Sequence, residues 1–255
     1  MRKERNCGRN SRSLLRNLNR KKTIMSKTMA MHQANYIPWL GFFYKIARAD
    51  VFVYLDVVQY PRGQSFAARN RIKTPNGAAF LTIPVSIPKG HEGKALYSEV
   101  TFADDKWRDK HIKSLTLNYK KAPFFNDIFP MVQQHIGTAP NLLELNISLI
   151  ESVCRLLKID TERIRLSQIL DDFGQKTDLI IDICRAVNAD AYLSGTGGGR
   201  DYNDENKMNA AGINLIYSDF KHPVYKQLWG EFIPNLSVLD LLFNLGPDSR
   251  TVLLG

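Results

Sequence analysis

Two short strand-like segments, of which the second is a continuous apolar run, lie on either side of one helix-length segment and constrain the fold of this chain more than any other feature. Residues 28–33 and Val51–Leu55 have the composition of fully buried strands. Between them, apolar residues recur at helical spacing from Leu40 to Ala49. A strand, a helix and a second strand in such close succession predict a βαβ unit, and therefore a parallel sheet.

The remaining pattern predicts an α/β fold with an antiparallel insertion. Strand-like segments occur at 66–73, 79–87, 97–102, 163–167, 191–194 and 213–217. Helical spacing occurs at 105–120, 126–136, 141–157, 176–187, 204–211 and 238–243. The first three strands are separated by the turn sequences Pro75-Asn76-Gly77 and Pro88-Lys89-Gly90. We expect a mostly parallel sheet with flanking helices, a β insertion around 60–103 and a helical segment around 105–157.

The net charge of +10 is concentrated at the N-terminus. Residues 1–27 contain ten Lys or Arg residues against one acidic residue, Glu4, so the remainder of the chain is almost neutral. The segment lacks the apolar core of a secretory signal. We interpret residues 1–28 as a basic disordered extension and residues 29–255 as a single α/β domain. A nucleic-acid-binding arm and an organelle transit peptide are the alternatives for the extension; we do not expect nucleic acid as a partner.

The cysteines and the hydropathy pattern narrow the class of protein further. Cys7, Cys154 and Cys184 are far apart and form no Cys-x-x-Cys pair, so we predict neither a disulfide framework nor a cysteine zinc site. No apolar run reaches the 18 or more residues of a membrane span. We therefore expect a cytoplasmic protein without a membrane span, and local spacing predicts no metal site.

Polar residues cluster where two predicted parallel strands end. They are His32, Gln33, Asn35 and Tyr36 after the first strand, and Asp56 and Gln59 after the second. In open α/β sheets, ligands bind outside the carboxyl ends of the strands, and a following helix N-terminus favours anions. We expect the first group to bind a polar or anionic ligand and Asp56 to orient a ribose, a metal or an amine. The structural alternatives are capping of the strand and turn chemistry.

Two further segments have the composition of anion-binding sites. In Arg69-Asn70-Arg71-Ile72-Lys73, strand alternation puts the three cations on one face, which suits a phosphate or carboxylate. A charged, solvated edge strand is the alternative. The second segment is the glycine-rich run 194–202, where a bare backbone can approach a ligand. Its candidate residues are Ser194, Gly195, Gly197, Asp201 and Tyr202. A flexible hairpin is the alternative there.

The histidines outside the first strand differ in how well they suit a catalytic or binding role. His222 precedes a proline, which favours extended backbone and an exposed ring. Tyr225 and Gln227 follow in the same segment and are candidate binding residues. His111 on a predicted helix is a weaker candidate, for which a solvated or capping role is the alternative. We expect structural roles for His91 and His135.

Six stretches between residues 32 and 246 resemble a known family. They are His32–Ile46, Ala49–Gln59, Arg69–Lys73, Leu193–Gly195, His222–Gln227 and Leu236–Gly246. Together they are similar to the WbqC-like proteins, bacterial proteins often encoded among O-antigen and other surface-polysaccharide genes. The resemblance implies a role in making or modifying surface glycans. The opening also resembles the nucleotidyltransferase-type fold, whose HxGH motif binds ATP phosphates; here only Gly41 of that motif is kept.

We therefore predict an enzyme that joins an acyl or aminoacyl group to an amino sugar in surface-polysaccharide (O-antigen) biosynthesis. ATP with Mg is the candidate cofactor for a nucleotide-dependent step. His32 or His222 would act as general base and Asp56 would orient the amine. The expected partners are a nucleotide sugar or an activated acyl donor, with an acyl carrier as a candidate. The alternative is a non-catalytic protein that binds a nucleotide sugar or a carrier during glycan assembly.

Overall fold

A five-stranded parallel sheet forms the centre of the computed structural model, which describes residues 26–61, 63–91, 93–195 and 203–255. In spatial order its strands are β7 (Glu162–Arg165), β2 (Val51–Tyr54), β1 (Thr28–His32), β8 (Ala191–Ser194) and β9 (Asn214–Tyr217). Every pairing among them is parallel. The predicted α/β class is confirmed. Most of the predicted basic extension, residues 1–25, lies outside the described residues.

The opening βαβ unit explains why its strands are apolar without alternation. Helix α1 (Leu40–Ala47) connects β1 to β2, and the two strands pair from Met29 with Val51 to His32 with Tyr54. Phe52 and Tyr54 point into the larger hydrophobic core, whereas Val51 and Val53 point into a second core on the opposite face. Because both faces are covered, both sets of side chains are apolar.

Seven further helices flank the sheet in the described part of the chain. They are α2 (Lys106–Tyr119), α3 (Phe125–Thr138), α4 (Leu142–Leu156), α5 (Thr177–Ala186), α6 (Glu205–Ala210), α7 (Val238–Leu245) and α8 (Ser249–Leu254). The first six match predicted helices to within two residues at each end, and α8 was not predicted. Its single buried leucine, Leu253, gives no helical stripe in the sequence.

The antiparallel insertion consists of two separate pairs of strands. β3 (Arg69–Thr74) and β4 (Gly77–Thr82) form a hairpin, with Pro75 and Asn76 as its two-residue loop. β5 (Val85–Ser86) pairs with β6 (Thr101–Phe102). The turn predicted at Pro75-Asn76-Gly77 is therefore confirmed.

Two strands of the insertion are shorter than the sequence predicted. Pro84 lies between β4 and β5 and divides the strand expected at 79–87. The strand expected at 97–102 is mostly a 3-10 turn, Tyr97–Glu99. The carboxylate of Glu99 accepts a hydrogen bond from the amide of Leu96 at 2.7 Å, which stabilises the turn over an extended backbone.

His111 of α2 is buried where this helix packs against the turn that follows β1 and against the end of β4. Its Nε2 lies 3.2 Å from the carbonyl oxygen of Thr82, and its Nδ1 lies 2.9 Å from the hydroxyl of Tyr36. A carbonyl oxygen only accepts, so Nε2 carries the ring proton and the Tyr36 hydroxyl donates to Nδ1. Burial lowers the pKa of His111 to about 4.

We expect this histidine to lower the free energy of unfolding by roughly 2 to 3 kcal/mol as the pH falls from 6.5 to 4. The unfolded imidazole takes up a proton near pH 6.5, whereas the folded one stays neutral until about pH 4. Proton uptake therefore favours the unfolded chain in this window. Urea denaturation of the wild type and of His111→Asn across the window measures the effect. Equal pH dependences of the two proteins would contradict it.

Candidate functional site

The carboxyl ends of β1 and β8 form the topological switch point of the sheet. β1 connects through α1 to β2 on one side, whereas its other neighbour, β8, is followed by α6 and β9 on the opposite side. This divergence leaves a crevice outside the two central strands, where ligands bind in open α/β sheets. His32 ends β1, Ser194 ends β8 and Gly195 follows it. The fold thus brings these three predicted site residues to one edge.

Two cavities adjoin the switch point and share His32 and Trp39 in their walls. The large cleft has a volume of about 680 Å³, and its lining includes Gln33, Asn35, Phe66, Asn70, Arg71 and Asn235. The small pocket has a volume of about 190 Å³ and is also lined by Gly41, Phe42, Lys45, Gly195, Ser218 and Phe220. His32 is therefore in a position to contact ligands on both sides.

His32 is neutral, and one of its ring nitrogens has no hydrogen-bond partner in the described part of the chain. Its Nδ1 lies 2.8 Å from the carbonyl oxygen of Gln33, so Nδ1 carries the proton and donates to it. This leaves a lone pair on Nε2, and the ring packs edge-to-face on Phe42 with centroids 5.3 Å apart. Desolvation, followed by the charge of Lys45, lowers the pKa of His32 to about 3. At neutral pH, Nε2 is a proton acceptor.

Lys45 is a site residue that the sequence prediction missed. Only 6% of its surface is exposed, and its Nζ donates to the carbonyl oxygen of Met31 at 2.9 Å. Desolvation lowers the pKa of its ammonium to about 8. The signal was present in the sequence, because Lys45 is the one charged residue in the apolar run of α1. Because lysine is almost never fully buried unless its charge is paired, packing alone does not explain a lysine at that position.

A strained turn between β1 and α1 carries one wall of the large cleft. Ile37 has a φ of 36°, which a β-branched residue rarely adopts. The side-chain amide of Asn70 holds this conformation by donating to the carbonyl oxygens of Tyr36 at 3.2 Å and Ile37 at 2.8 Å. Asn70, a predicted binding residue, therefore acts on the shape of the turn that presents Asn35.

Arg71 and Asn235 form another part of the wall of the large cleft. The Arg71 guanidinium donates to the carbonyl oxygen of Asn235 at 3.0 Å, and both residues line the cleft. Phe66, with 47% of its surface exposed, and Trp39 add aromatic faces to the same space. Arg69 lies elsewhere, stacked over the Phe80 ring at 4.3 Å. Of the three predicted cations, only Arg71 lines this cleft.

Lys73, Tyr225 and Gln227 are brought together, but inside the protein. Lys73 is fully buried and its Nζ donates to Gln227 Oε1 at 3.0 Å and to the carbonyl oxygen of Glu231. The Tyr225 hydroxyl donates to the buried carboxylate of Asp240 at 2.9 Å. The predicted cationic face is thus interrupted, because Lys73 turns into a polar network that fastens the C-terminal segment to β3.

His222 has both ring nitrogens in use. The amide of Asn235 donates to its Nε2 at 3.0 Å, and its Nδ1 donates to the carbonyl oxygen of Pro223 at 2.8 Å. Burial lowers the pKa of this histidine. The ring therefore orients Asn235 towards the large cleft, and the predicted general-base role would require one of these hydrogen bonds to break.

The remaining candidates at the strand ends lie away from the switch point or inside the core. Asp56 is buried at the end of β2, and its carboxylate accepts hydrogen bonds from the amide and hydroxyl of Ser167. The side-chain amide of Gln59 donates to the main-chain carbonyl oxygen of Gly93. The main-chain carbonyl oxygen of Gln59 accepts a hydrogen bond from the side-chain amide of Gln33 at 2.9 Å. Tyr36 is fully buried against His111. The contacts of each of these residues stabilise the fold.

The glycine-rich segment is described only at its two ends. Ser194 Oγ donates to the carbonyl oxygen of Gly195 at 3.3 Å and accepts from Asn203 at 3.1 Å. The other predicted residues of this segment, Gly197, Asp201 and Tyr202, lie outside the described residues. Gly195 in the wall of the small pocket links the segment to the site.

The described residues contain neither a cluster of metal-binding side chains nor a helix that could cross a membrane. No three or more His, Cys, Asp or Glu side chains converge there in a way that would hold a metal ion. Within the same residues, every helix is too short or too polar to cross a membrane.

The fold and the site define an α/β protein with a polar cleft at the switch point of a parallel sheet. The sequence matches the model of the WbqC-like protein family over residues 33–252, and the chain therefore belongs to this family. It is also similar to "Uncharacterized protein Rv1507c" of Mycobacterium tuberculosis (strain ATCC 25618 / H37Rv), with 35% identity over 230 residues. This alignment covers 88% of the present chain and 96% of the relative.

Proposed function

We propose that the chain is an enzyme of surface-polysaccharide biosynthesis that transfers an acyl or aminoacyl group to the amine of an amino sugar. The observation that carries the proposal is Nε2 of the neutral His32, which lies in the wall of both cavities at the switch point and has no hydrogen-bond partner among the described residues. Family membership supports the glycan context, because WbqC-like proteins are often encoded among surface-polysaccharide genes.

The lining of the large cleft suits a sugar. A sugar ring presents hydroxyl groups around its edge and apolar C–H groups on its faces. Gln33 and Asn35 offer amide donors and acceptors, whereas Trp39 and Phe66 offer aromatic faces for the C–H groups. Arg71 adds a guanidinium for an anionic substituent. A volume of about 680 Å³ is within the range of small-molecule sites.

The proposed chemistry requires one proton acceptor. The amine nitrogen attacks the acyl carbonyl carbon, and a C–N bond forms. Nε2 of His32 takes the proton that the nitrogen must lose, and the bond to the leaving group breaks with its electron pair. The same proton then passes to the leaving group. The nitrogen becomes positively charged, and therefore acidic, once it has added to the carbonyl, and it can then give its proton to the neutral imidazole. The low pKa of His32 makes the protonated ring a strong acid, which favours the return of that proton to the leaving group.

Two activated donors are compatible with this step. An acyl adenylate would be formed with ATP and Mg, and a thioester would arrive on an acyl carrier. The small pocket beside the start of α1 is the place we propose for an anionic part of the donor or the sugar. Omission of ATP from the reaction separates the two routes.

The proposal is tested by incubating the full chain with amino-sugar nucleotides and either acyl thioesters or amino acids with ATP and Mg. Mass spectrometry should detect a product heavier than the sugar nucleotide by one acyl group. Saturable binding of a sugar nucleotide without product across the panel would contradict the enzyme assignment. That result would instead support the non-catalytic binding function.

A further inference from the structure

We propose that the small pocket is a phosphoryl-binding subsite in which Lys45 supplies the positive charge. The inference rests on the proposed function only in assigning the phosphate to the substrate on which His32 acts. Phosphate binding itself can be measured without any turnover. The ligand class is therefore a phosphorylated small molecule.

The first observation is a buried ammonium that has no counter-charge among residues 26–61, 63–91, 93–195 and 203–255. Lys45 is 6% exposed, and in the described part of the chain its one hydrogen-bond acceptor is the carbonyl oxygen of Met31. No carboxylate among those residues lies within ion-pair distance of it. A buried charge is costly unless it is paired. An anion in the pocket that Lys45 lines would provide the missing partner and use its remaining N–H donors.

The second observation is the shape of the surroundings. Gly195 leaves bare backbone at one wall of the pocket, and the space where a side chain would stand is open to a ligand oxygen, whereas the Trp39 indole fills that space at Gly41. The pocket lies beside the first turn of α1, whose N-terminus has no side-chain cap. The positive end of the helix dipole therefore adds to the charge of Lys45. A volume of about 190 Å³ accommodates one small anionic group rather than a whole nucleotide.

The acidic residue that neighbours the pocket along the chain does not compete for Lys45. Asp219 lies between Ser218 and Phe220, but its carboxylate accepts a hydrogen bond from the Tyr44 hydroxyl at 2.8 Å. This hydrogen bond, together with the smaller effects of Arg48 and Lys221, lowers the pKa of the carboxyl group. Burial lowers the pKa of Lys45 only to about 8, so most of the lysine is charged at pH 7.

The experiment is a calorimetric titration of the full chain with inorganic phosphate at pH 7, with acetate as the carboxylate probe. Wild type should bind phosphate more tightly than acetate. Lys45→Met, which keeps a similar volume, should weaken phosphate binding at least tenfold. Lys113→Met, which changes an exposed lysine of α2, should bind as wild type does. Undiminished phosphate binding by folded Lys45→Met, or tighter binding of acetate by wild type, would overturn the proposal.

A second measurement keeps the test valid if Lys45→Met does not fold. In the wild type, phosphate should shift the ring ¹⁵N resonances of His32, which lines the pocket, and leave those of His135 unchanged. Unshifted His32 resonances at saturating phosphate would overturn the proposal. Competition by ATP against phosphate would assign the phosphoryl group to the donor, and competition by an amino-sugar nucleotide would assign it to the acceptor. Displacement by neither would contradict a substrate subsite.

Discussion

Replacement of His32 with asparagine is expected to lower kcat for amide formation by about 100- to 10,000-fold. The asparagine side chain can still donate to the carbonyl oxygen of Gln33, as Nδ1 of His32 does, but it places no acceptor where Nε2 lies. The proton of the attacking amine then has no acceptor on the protein. Steady-state kinetics with the substrates identified in the product assay measures the loss.

The matched control is His135→Asn. His135 is a half-buried histidine of α3 whose Nε2 lies 2.8 Å from the Ser152 hydroxyl, away from both cavities. Its replacement should leave kcat unchanged. If His32→Asn instead raised KM with kcat retained, His32 would be a binding residue and the proton-transfer assignment would fail. Melting temperatures within a few degrees of wild type would establish that both variants fold.

Replacement of Asp240 with alanine is expected to destabilise the fold by roughly 3 to 5 kcal/mol. The Asp240 carboxylate is fully buried and accepts hydrogen bonds from the hydroxyls of Tyr119 at 3.0 Å and Tyr225 at 2.9 Å. It also offsets the charge of the buried Lys73. Its removal leaves two buried hydroxyls without an acceptor and a buried ammonium without a counter-charge. Urea denaturation measures the change.

Two companion variants make this result specific. Asp248→Ala removes an exposed carboxylate at the start of α8 and should change the free energy of unfolding by less than about 0.5 kcal/mol. Lys73→Met in the Asp240→Ala background should restore part of the lost stability, because it removes the unpaired charge. Equal stabilities of Asp240→Ala and wild type would refute the importance of the network.

The sheet could be predicted from the sequence because its central strands are buried on both faces. Val51–Tyr54 and Ala191–Ser194 are fully buried, so their apolar runs are continuous and easily recognised. The shortness of β6 and the presence of α8 could not be predicted in this way. β6 has only two residues, and α8 buries little surface of its own. Such elements are determined by contacts with distant parts of the chain.

The candidate site could be predicted only in outline. The strand-end rule directed attention to His32, which does end β1 beside the switch point, since the end of a central strand is fixed by the order of the elements. The rule could not distinguish Arg71, which lines the cleft, from Lys73, which is buried two residues later on the same strand. That difference depends on the segment from Tyr225 to Asp240, which covers Lys73 from far along the chain. Roles for Gln33, Asn35 and Arg71 in binding stay predictions.

The central position of β1 has a consequence for biosynthesis on the ribosome. β1 is the first strand of the described residues to emerge, yet its second neighbour, β8, ends only at Ser194. The walls of the large cleft are complete only after Asn235 has been translated. During most of the synthesis of the chain, one edge of β1 therefore lacks its partner strand. An apolar strand with an unpaired edge can pair wrongly with other strands during this period. Truncated translation products should accordingly depend on chaperones more than the finished protein does.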